Sequence, residues 1–200
     1  MCATPQTPTA ADHDPRIARS RSRLLAAATE LLIAEGPRGV TADAIAEHSG
    51  VAKSTLYRHW GSINDLLVDV MRSNVPSEKP VDLSHGFEAA LREWVDQAVV
   101  ALSQPGWVRI LPALLELRRH TPEMSAVFDA DFAEKLAHIA AILELGAREG
   151  VLPVGLEPSL VTSTIVGPLV LTILKDPHAP LAPVADYVLE RFLGSYQRPT

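Results

Sequence analysis

The sequence predicts an all-α protein of about nine helices: an N-terminal three-helix helix-turn-helix unit, followed by a larger helical unit. Three observations predict it. Apolar residues recur at three- and four-residue spacing along most of the chain, and no stretch alternates apolar with polar between hairpin turns. Proline and glycine punctuate the ends of those periodic segments. A chain of 200 residues that is 47% hydrophobic and 21% charged has the composition of a folded globular protein.

In chain order, Asp14 offers an N-cap and Pro15 a first helical position. Ile17, Leu24, Leu25, Ala28, Leu31 and Leu32 then form an apolar stripe that stops at Gly36-Pro37. Thr41 caps a second helix over 42–49, Gly50 permits a left-handed turn, and a third helix covers 52–59. Gly61-Ser62 ends it and caps a fourth over 63–75, with Ile63, Leu66, Leu67 and Val70 facing inward. The segment PSEKPVD, 76–82, reads as a seam. Further helices are expected at 83–103, 107–120, 123–149, 158–175 and 181–196, with breaks at Pro105-Gly106, Thr121-Pro122, Gly150 to Pro158, and Asp176-Pro177 with Pro180. Pro168 lies inside the eighth helix, where it removes a donor to the carbonyl of Thr164 and predicts a kink. The expected organisation is a disordered tail over 1–14, a helix-turn-helix domain with its connecting helix over 15–75, and a helical regulatory and dimerisation domain over 83–197.

The formal charge of −6 is unevenly spread. Residues 16–60 hold seven basic and four acidic side chains, whereas 61–200 hold eleven and eighteen. A polyanionic partner is therefore compatible with an acidic chain. The single cysteine, Cys2, provides neither a disulfide framework nor a cysteine metal site, which fits a reducing, cytoplasmic setting. The first fifteen residues lack a signal-peptide core, and no run approaches the roughly 18 uninterrupted apolar residues of a membrane span, so neither export nor a membrane partner is expected. Seven histidines are scattered without H-E-x-x-H, and neither G-x-S-x-G nor a glycine-rich phosphate loop occurs. Asp129 and Asp131 point in different directions on a helix. No catalytic residue, metal ligand or cofactor is expected.

The stretch TADAIAEHSGVAKSTLYRHW, 41–60, carries the chemistry. Ala44, Ile45, Ala46, Val51 and Leu56 are small or apolar where two short helices must pack. Ala52, Leu56 and Trp60 recur at four-residue spacing and are expected inward. Lys53, Ser54, Tyr57 and Arg58 then project outward, flanked by Thr55 and His59. Such a helix fits the major groove of double-stranded DNA, where basic side chains reach base edges and hydroxyls reach phosphates. The same row also suits a merely solvated face. Context favours DNA: the tract RIARSRSR opens helix one, the local charge is positive, and Thr41 heads a helix whose free backbone N–H groups can meet a phosphate.

The run from Arg23 to Leu67 resembles the DNA-binding domain of the TetR family of transcriptional regulators, whose signature is similar to T-x-x-x-I-A-x-x-x-G-V-x-x-x-T-L-Y-x-H-F. Here it stands as Thr41, Ile45, Ala46, Gly50, Val51, Thr55, Leu56, Tyr57 and His59, with Trp60 in place of the usual phenylalanine. The resemblance implies that Thr41, Thr55, Tyr57 and His59 contact the DNA backbone, with Lys53, Ser54 and Arg58 contacting bases or nearby phosphates. His48 is read as a C-terminal polar cap of the second helix. Many members carry a lysine after the serine that starts the fourth helix. Ile63 stands there in this chain, so only the backbone at that helix start can serve a phosphate.

The larger unit is apolar beyond the needs of single stripes. Val161, Ile165, Leu169 and Ile173 make one face of the eighth helix. Leu160, Thr164, Gly167, Pro168 and Leu171 make another, which with Val184, Tyr187, Val188 and Phe192 of the last helix forms a surface suited to a second copy of the chain. The resemblance implies a homodimer through four such helices, with two recognition helices presented to half-sites of a palindromic operator. The alternative is that these residues bury within the monomer. Trp94, Trp107, Leu111, Leu114, Phe128, Phe132, Ile142 and Ile165 are expected to line an effector pocket of roughly 300–1,000 Å³, though large helical residues also serve as plain core. Arg109, Arg118, Arg119, His120 and His138 could recognise an anion or simply be solvated. The expected protein is a cytoplasmic, ligand-responsive, homodimeric DNA-binding regulator, a repressor by the family's default, released by a small and largely apolar effector. The alternative is a helical small-molecule carrier or protein adaptor without specific DNA binding, which salt sensitivity of DNA binding separates from it.

Overall fold

In the computed structural model, which describes residues 15–76 and 79–196, every regular element is helical and no strand occurs among the described residues. The expected N-cap Asp14 and the tail 1–14 lie outside the described residues. The chain divides into two compact units, one running to Ser73 and one starting at Asn74.

The first unit holds α1 (Pro15–Glu35), α2 (Ala42–Ser49), α3 (Lys53–His59) and α4 (Ile63–Asn74), with a 3₁₀ turn at Pro37–Gly39 after α1. Leu24, Ala28, Leu31 and Leu32 of α1 are buried with Ile45, Leu56, Trp60, Leu66, Leu67, Val70 and Met71, while Ile17 and Leu25 of the expected stripe are half-buried. Gly50 ends α2 at φ 63°, a conformation that side chains with a Cβ rarely adopt. Beside it, Arg23 of α1 donates through Nη2 to the carbonyl of Ser49, placing a cation on the negative end of the α2 dipole.

The second unit holds α5 (Phe87–Leu102), α6 (Pro105–His120), α7 (Pro122–Arg148), α8 (Pro158–Lys175) and α9 (Ala182–Tyr196). The helix expected over 83–103 is divided: Leu83–His85 is a 3₁₀ turn, Gly86 takes φ 88°, and α5 begins at Phe87. Its first N–H is satisfied by the carboxylate of Glu149, at 3.1 and 3.2 Å from its two oxygens. That cap comes from the end of α7. A side chain at Gly146 would meet Phe87 Cδ2 at 2.7 Å and Leu152 Cδ1 at 2.8 Å, so α5 approaches α7 where only hydrogen fits. Pro105, expected as a breaker, is instead the first residue of α6, because proline is suited to N1.

Helix α8 is continuous from Pro158 to Lys175 with Pro168 inside it. It buries Val161, Ile165, Leu169 and Ile173, the face expected to turn inward. Among the described residues it is the one single helix long and apolar enough to cross a membrane by length and composition. Those criteria do not distinguish a span from a helix with one face in a core and the other against a partner.

Candidate nucleic-acid interface and effector cavity

Thr41 opens the helix pair. Its Oγ1 accepts the N–H of Ala44 at 3.2 Å, which leaves the other N–H groups of the first α2 turn facing outward. After Gly50 the backbone is extended at Ala52 (φ −60°, ψ 143°), which serves as N-cap of α3. This corrects the inward placement of Ala52. The residue is exposed because it precedes the helix, so four-residue helical spacing does not apply to it.

Two turns of α3 then bury Leu56 and, just past the helix end, Trp60, while Lys53, Ser54, Tyr57 and Arg58 are exposed and Thr55 and His59 half-buried. Tyr57 keeps 50% of its surface. The ammonium of Lys53 pairs with the carboxylate of Asp43 on α2. His59 is turned partly inward, its Nε2 lying 2.9 Å from Oγ of Ser20 on α1. Ser20 donates its hydroxyl hydrogen to the carbonyl of Ile17 at 2.9 Å, so His59 is the donor to Ser20 and its Nδ1 is the acceptor when the ring is neutral. Burial first, then the charges of Arg58 and Arg21, hold the His59 pKa below its ordinary value. A neutral Nδ1 offers no proton to a phosphate, so His59 is built to tie α3 to α1 at least as much as to touch a ligand.

A single carboxylate organises the end of α3. Asp69 Oδ2 on α4 accepts Nε1–H of Trp60 at 2.7 Å and Nη2–H of Arg21 at 2.5 Å, and the Arg21 guanidinium stands 5.3 Å from the Trp60 ring centroid. Of the arginines in RIARSRSR, Arg21 and Arg23 thus have structural partners. His48 does not act as the expected cap: Gly50 ends the helix, Arg23 takes the Ser49 carbonyl, and His48 Nε2 reaches Glu30 Oε2 on α1 at 2.6 Å. At the start of α4, Ser62 Oγ accepts the N–H of Asp65 at 3.1 Å and donates to its carboxylate at 2.8 Å. That reciprocal cap and its negative charge make the backbone beside Ile63 a poorer phosphate site than the bare helix start expected.

In the second unit a cavity of about 200 Å³ is lined by Trp94, Trp107, Phe128 and Phe132 of the expected set, together with Ala98, Leu102, Arg118, Asp131, Lys135, Thr162 and Val166. Leu111, Leu114, Ile142 and Ile165 do not line it. They are buried core, because their helix faces point into the packed layers rather than the gap. The volume is also below the expected range. On α8 and α9, Leu160, Leu171 and Tyr187 are exposed at 67%, 60% and 60%; Thr164 and Gly167 are exposed, and Pro168, Val184 and Val188 half-buried. Phe192 is the exception: it is 8% exposed and packs edge-on against Tyr196 at 5.3 Å within its own chain. An open groove of about 490 Å³ runs between the two helices.

Two family models match this chain. Bacterial regulatory proteins of the tetR family match residues 24–70, which holds α2, α3 and the packing parts of α1 and α4. The tetracyclin repressor-like C-terminal domain matches 85–192, more than half of the chain. The chain belongs to the TetR family of transcriptional regulators. Members are DNA-binding transcription factors rather than enzymes, and α2–α3 is the helix-turn-helix of this one. An uncharacterized HTH-type transcriptional regulator, YdeS of Bacillus subtilis (strain 168), is 25% identical over 183 residues, covering 90% of this chain and 91% of YdeS. Among solved structures, the flavonoid-responsive regulator FrrA has TM-score 0.69 at 21% identity, covering 92% of this chain and 100% of its own. The regulator FadR from Bacillus subtilis, in complex with stearoyl-CoA, has TM-score 0.66 at 19% identity, covering 88% and 99%. These likenesses extend the TetR fold to both units.

Residue reasoning did not find three ties in this TetR regulator: Asp69 to Arg21 and Trp60, Ser20 to His59, and Glu149 to Phe87. Three of these four contacts join residues 39 to 62 apart in sequence, and the fourth, Trp60 to Asp69, crosses from the end of α3 to α4 over nine. One signal was available, since a tryptophan in place of phenylalanine brings an N–H that must find an acceptor if buried.

Proposed function

We propose that this TetR-family regulator is a cytoplasmic repressor that binds a palindromic operator as a homodimer and is released by a small, largely apolar effector. The observation that carries the DNA-reading part is α3, with Lys53, Ser54, Tyr57 and Arg58 exposed over buried Leu56 and Trp60. Lys53, Ser54 and Arg58 read bases or nearby phosphates, and Thr41, Thr55 and Tyr57 contact the backbone; His59 joins them through Nδ1 when its ring is protonated. The exposed apolar side chains of α8 and α9 support pairing with a second copy: 22% of α8 is buried within the chain, and Leu160, Leu171 and Tyr187 would otherwise face water. A two-fold dimer places its recognition helices on half-sites about 34–36 Å apart or a related spacing. The aromatic-lined cavity supports an effector site, and FrrA and FadR carry ligand chemistry in their names or complexes. Effector binding favours a separation of the two recognition helices that mismatches the operator, with a coupling of about 1–3 kcal/mol.

Footprinting on the intergenic DNA beside the gene tests the reading. Two protected half-sites related by dyad symmetry are expected, with affinity falling steeply as salt rises. No protection even at low salt would remove the DNA-binding assignment, and a single unsymmetric footprint would remove the dimer.

A further inference from the structure

We infer that the second unit carries another small-molecule site, a cleft between the start of α6 and the α8–α9 loop that takes a carboxylate on a short aliphatic body, about ten non-hydrogen atoms in all. The site is separate from the aromatic-lined cavity and stands whether or not that cavity holds the effector.

Three segments build it. Ser103 lies just past the end of α5, Arg109 on α6 and His178 in the loop after α8, and all three line one cleft of about 310 Å³. Its apolar wall is Pro105, Val108, Ile173, Pro177 and Leu181, of which Val108, Ile173 and Leu181 are 8%, 3% and 3% exposed. The floor is therefore core, and the three polar side chains are exposed above it. A closed cavity of 150 Å³ holds the six carbons of benzene, so an open cleft of this size has room for about ten heavy atoms. No phenyl or indole ring stands in the wall, so a flat ligand finds no stacking partner and an aliphatic body matches the surface.

Charge sets the head group. Arg109 makes no hydrogen bond or ion pair among the described residues, nor do the side chains of Ser103 and His178, and no carboxylate lines the cleft. Asp176, close to His178 in sequence, accepts the backbone N–H of His178 at 3.0 Å and is not in the wall. The surroundings are acidic: residues 74–200 carry ten basic and sixteen acidic side chains, and Arg92, Arg118 and Lys135 each have a carboxylate partner. The aromatic-lined cavity has Asp131 in its wall, and this cleft has no counterpart. The first turn of α6 adds to the positive potential, since it holds no acidic residue and no side chain caps it.

The donors match a carboxylate. A guanidinium grips one with two parallel N–H bonds, and the Ser103 hydroxyl and the His178 ring each supply a further donor, the ring in either protonation state. An alcohol meets the same donors with one oxygen and no charge. An ammonium meets only donors and like charge.

The test uses the full chain with ¹⁵N-labelled backbone amides and three probes that share one body: octanoate, octanol and octylammonium. Octanoate should move the amides of Ala179 and Leu181, which line this cleft, and leave those of Phe132 and Val166, which line the other cavity, in place. Its Kd should lie at least about 5-fold below that of octanol, and octylammonium should leave Ala179 and Leu181 unmoved. Arg109→Gln should remove that advantage and His178→Ala should reduce it, whereas Arg148→Gln, at an exposed arginine outside the cleft, should leave it unchanged. Octanol binding as tightly as octanoate, shifts confined to Phe132 and Val166, or full octanoate affinity in Arg109→Gln would each overturn the site. So would unmoved Ala179 and Leu181 amides at every octanoate concentration short of micelle formation.

Discussion

Replacing Asp69 with alanine is the sharpest test of how the DNA-reading unit is held together. The carboxylate receives two donors on one oxygen, Trp60 Nε1 at 2.7 Å and Arg21 Nη2 at 2.5 Å. Trp60 is 5% exposed, so its orphaned N–H costs about 1–3 kcal/mol. Arg21 is 46% exposed and regains water, so its lost ion pair adds only about 0–1 kcal/mol. The side chain of Asp69 is itself 21% exposed, so water can reach part of the vacated site, which brings the total below the middle of the summed range, to about 2 kcal/mol. Asp69→Asn keeps an acceptor for the indole and loses only the charge, so it should cost about 1 kcal/mol. Because the chain has two units, a single melting temperature is the wrong readout. Native-state amide exchange resolves them: protection in α1 and α4 should fall by those amounts in the order wild type, Asn, Ala, and protection in α5–α9 should stay the same. Protection of α1 and α4 within about 0.5 kcal/mol of wild type in the alanine variant would refute the reasoning.

Further outcomes follow from the same geometry. Lys53→Ala and Tyr57→Phe should each weaken operator binding without changing helicity by circular dichroism, and the lysine change should lower the salt slope by about one unit per protomer, about two for the dimer; equal gel-shift affinity for wild type and both variants would count against α3 as the reading helix. Asp43→Asn should tighten binding at low salt, since it releases Lys53 from its ion pair. His59 has a pKa below 6.5 when folded, so the unfolded chain binds more protons near that pH. Its contribution is present above 6.5 and lost as pH falls through the lowered folded value; amide protection of α1 and α3 should decline on acidification, and His59→Gln should flatten the decline. Leu160→Glu with Leu171→Glu should convert a dimer to monomer in light scattering and abolish the two-half-site footprint, because both side chains stand exposed on α8.

Helix existence and order were legible because each depends on local rules. Gly50 could be placed at the turn from its type and position, and the buried face Val161, Ile165, Leu169, Ile173 followed from helical spacing. The spacing of Thr41, Gly50, Tyr57 and His59 was enough to point to the family. Periodicity misled at Ala52, which is outside the helix it was counted in, and it could not divide Leu83–His85 from α5, because the cap that fixes that start comes from Glu149.

By itself, then, the sequence determined an all-α chain, its helix-turn-helix and the residues that could face DNA, since local spacing sets which side of a helix a residue occupies. Only the tertiary structure decided which of those residues already have partners. Lys53 is held by Asp43, His59 by Ser20, and Arg21 by Asp69, each across a helix boundary that no periodicity spans. The same holds for the cavity. Spacing marks large apolar side chains as inward, but whether they meet core or a gap depends on how whole helices pack, which is why Trp94 and Phe128 line it while Leu114 and Ile142 do not.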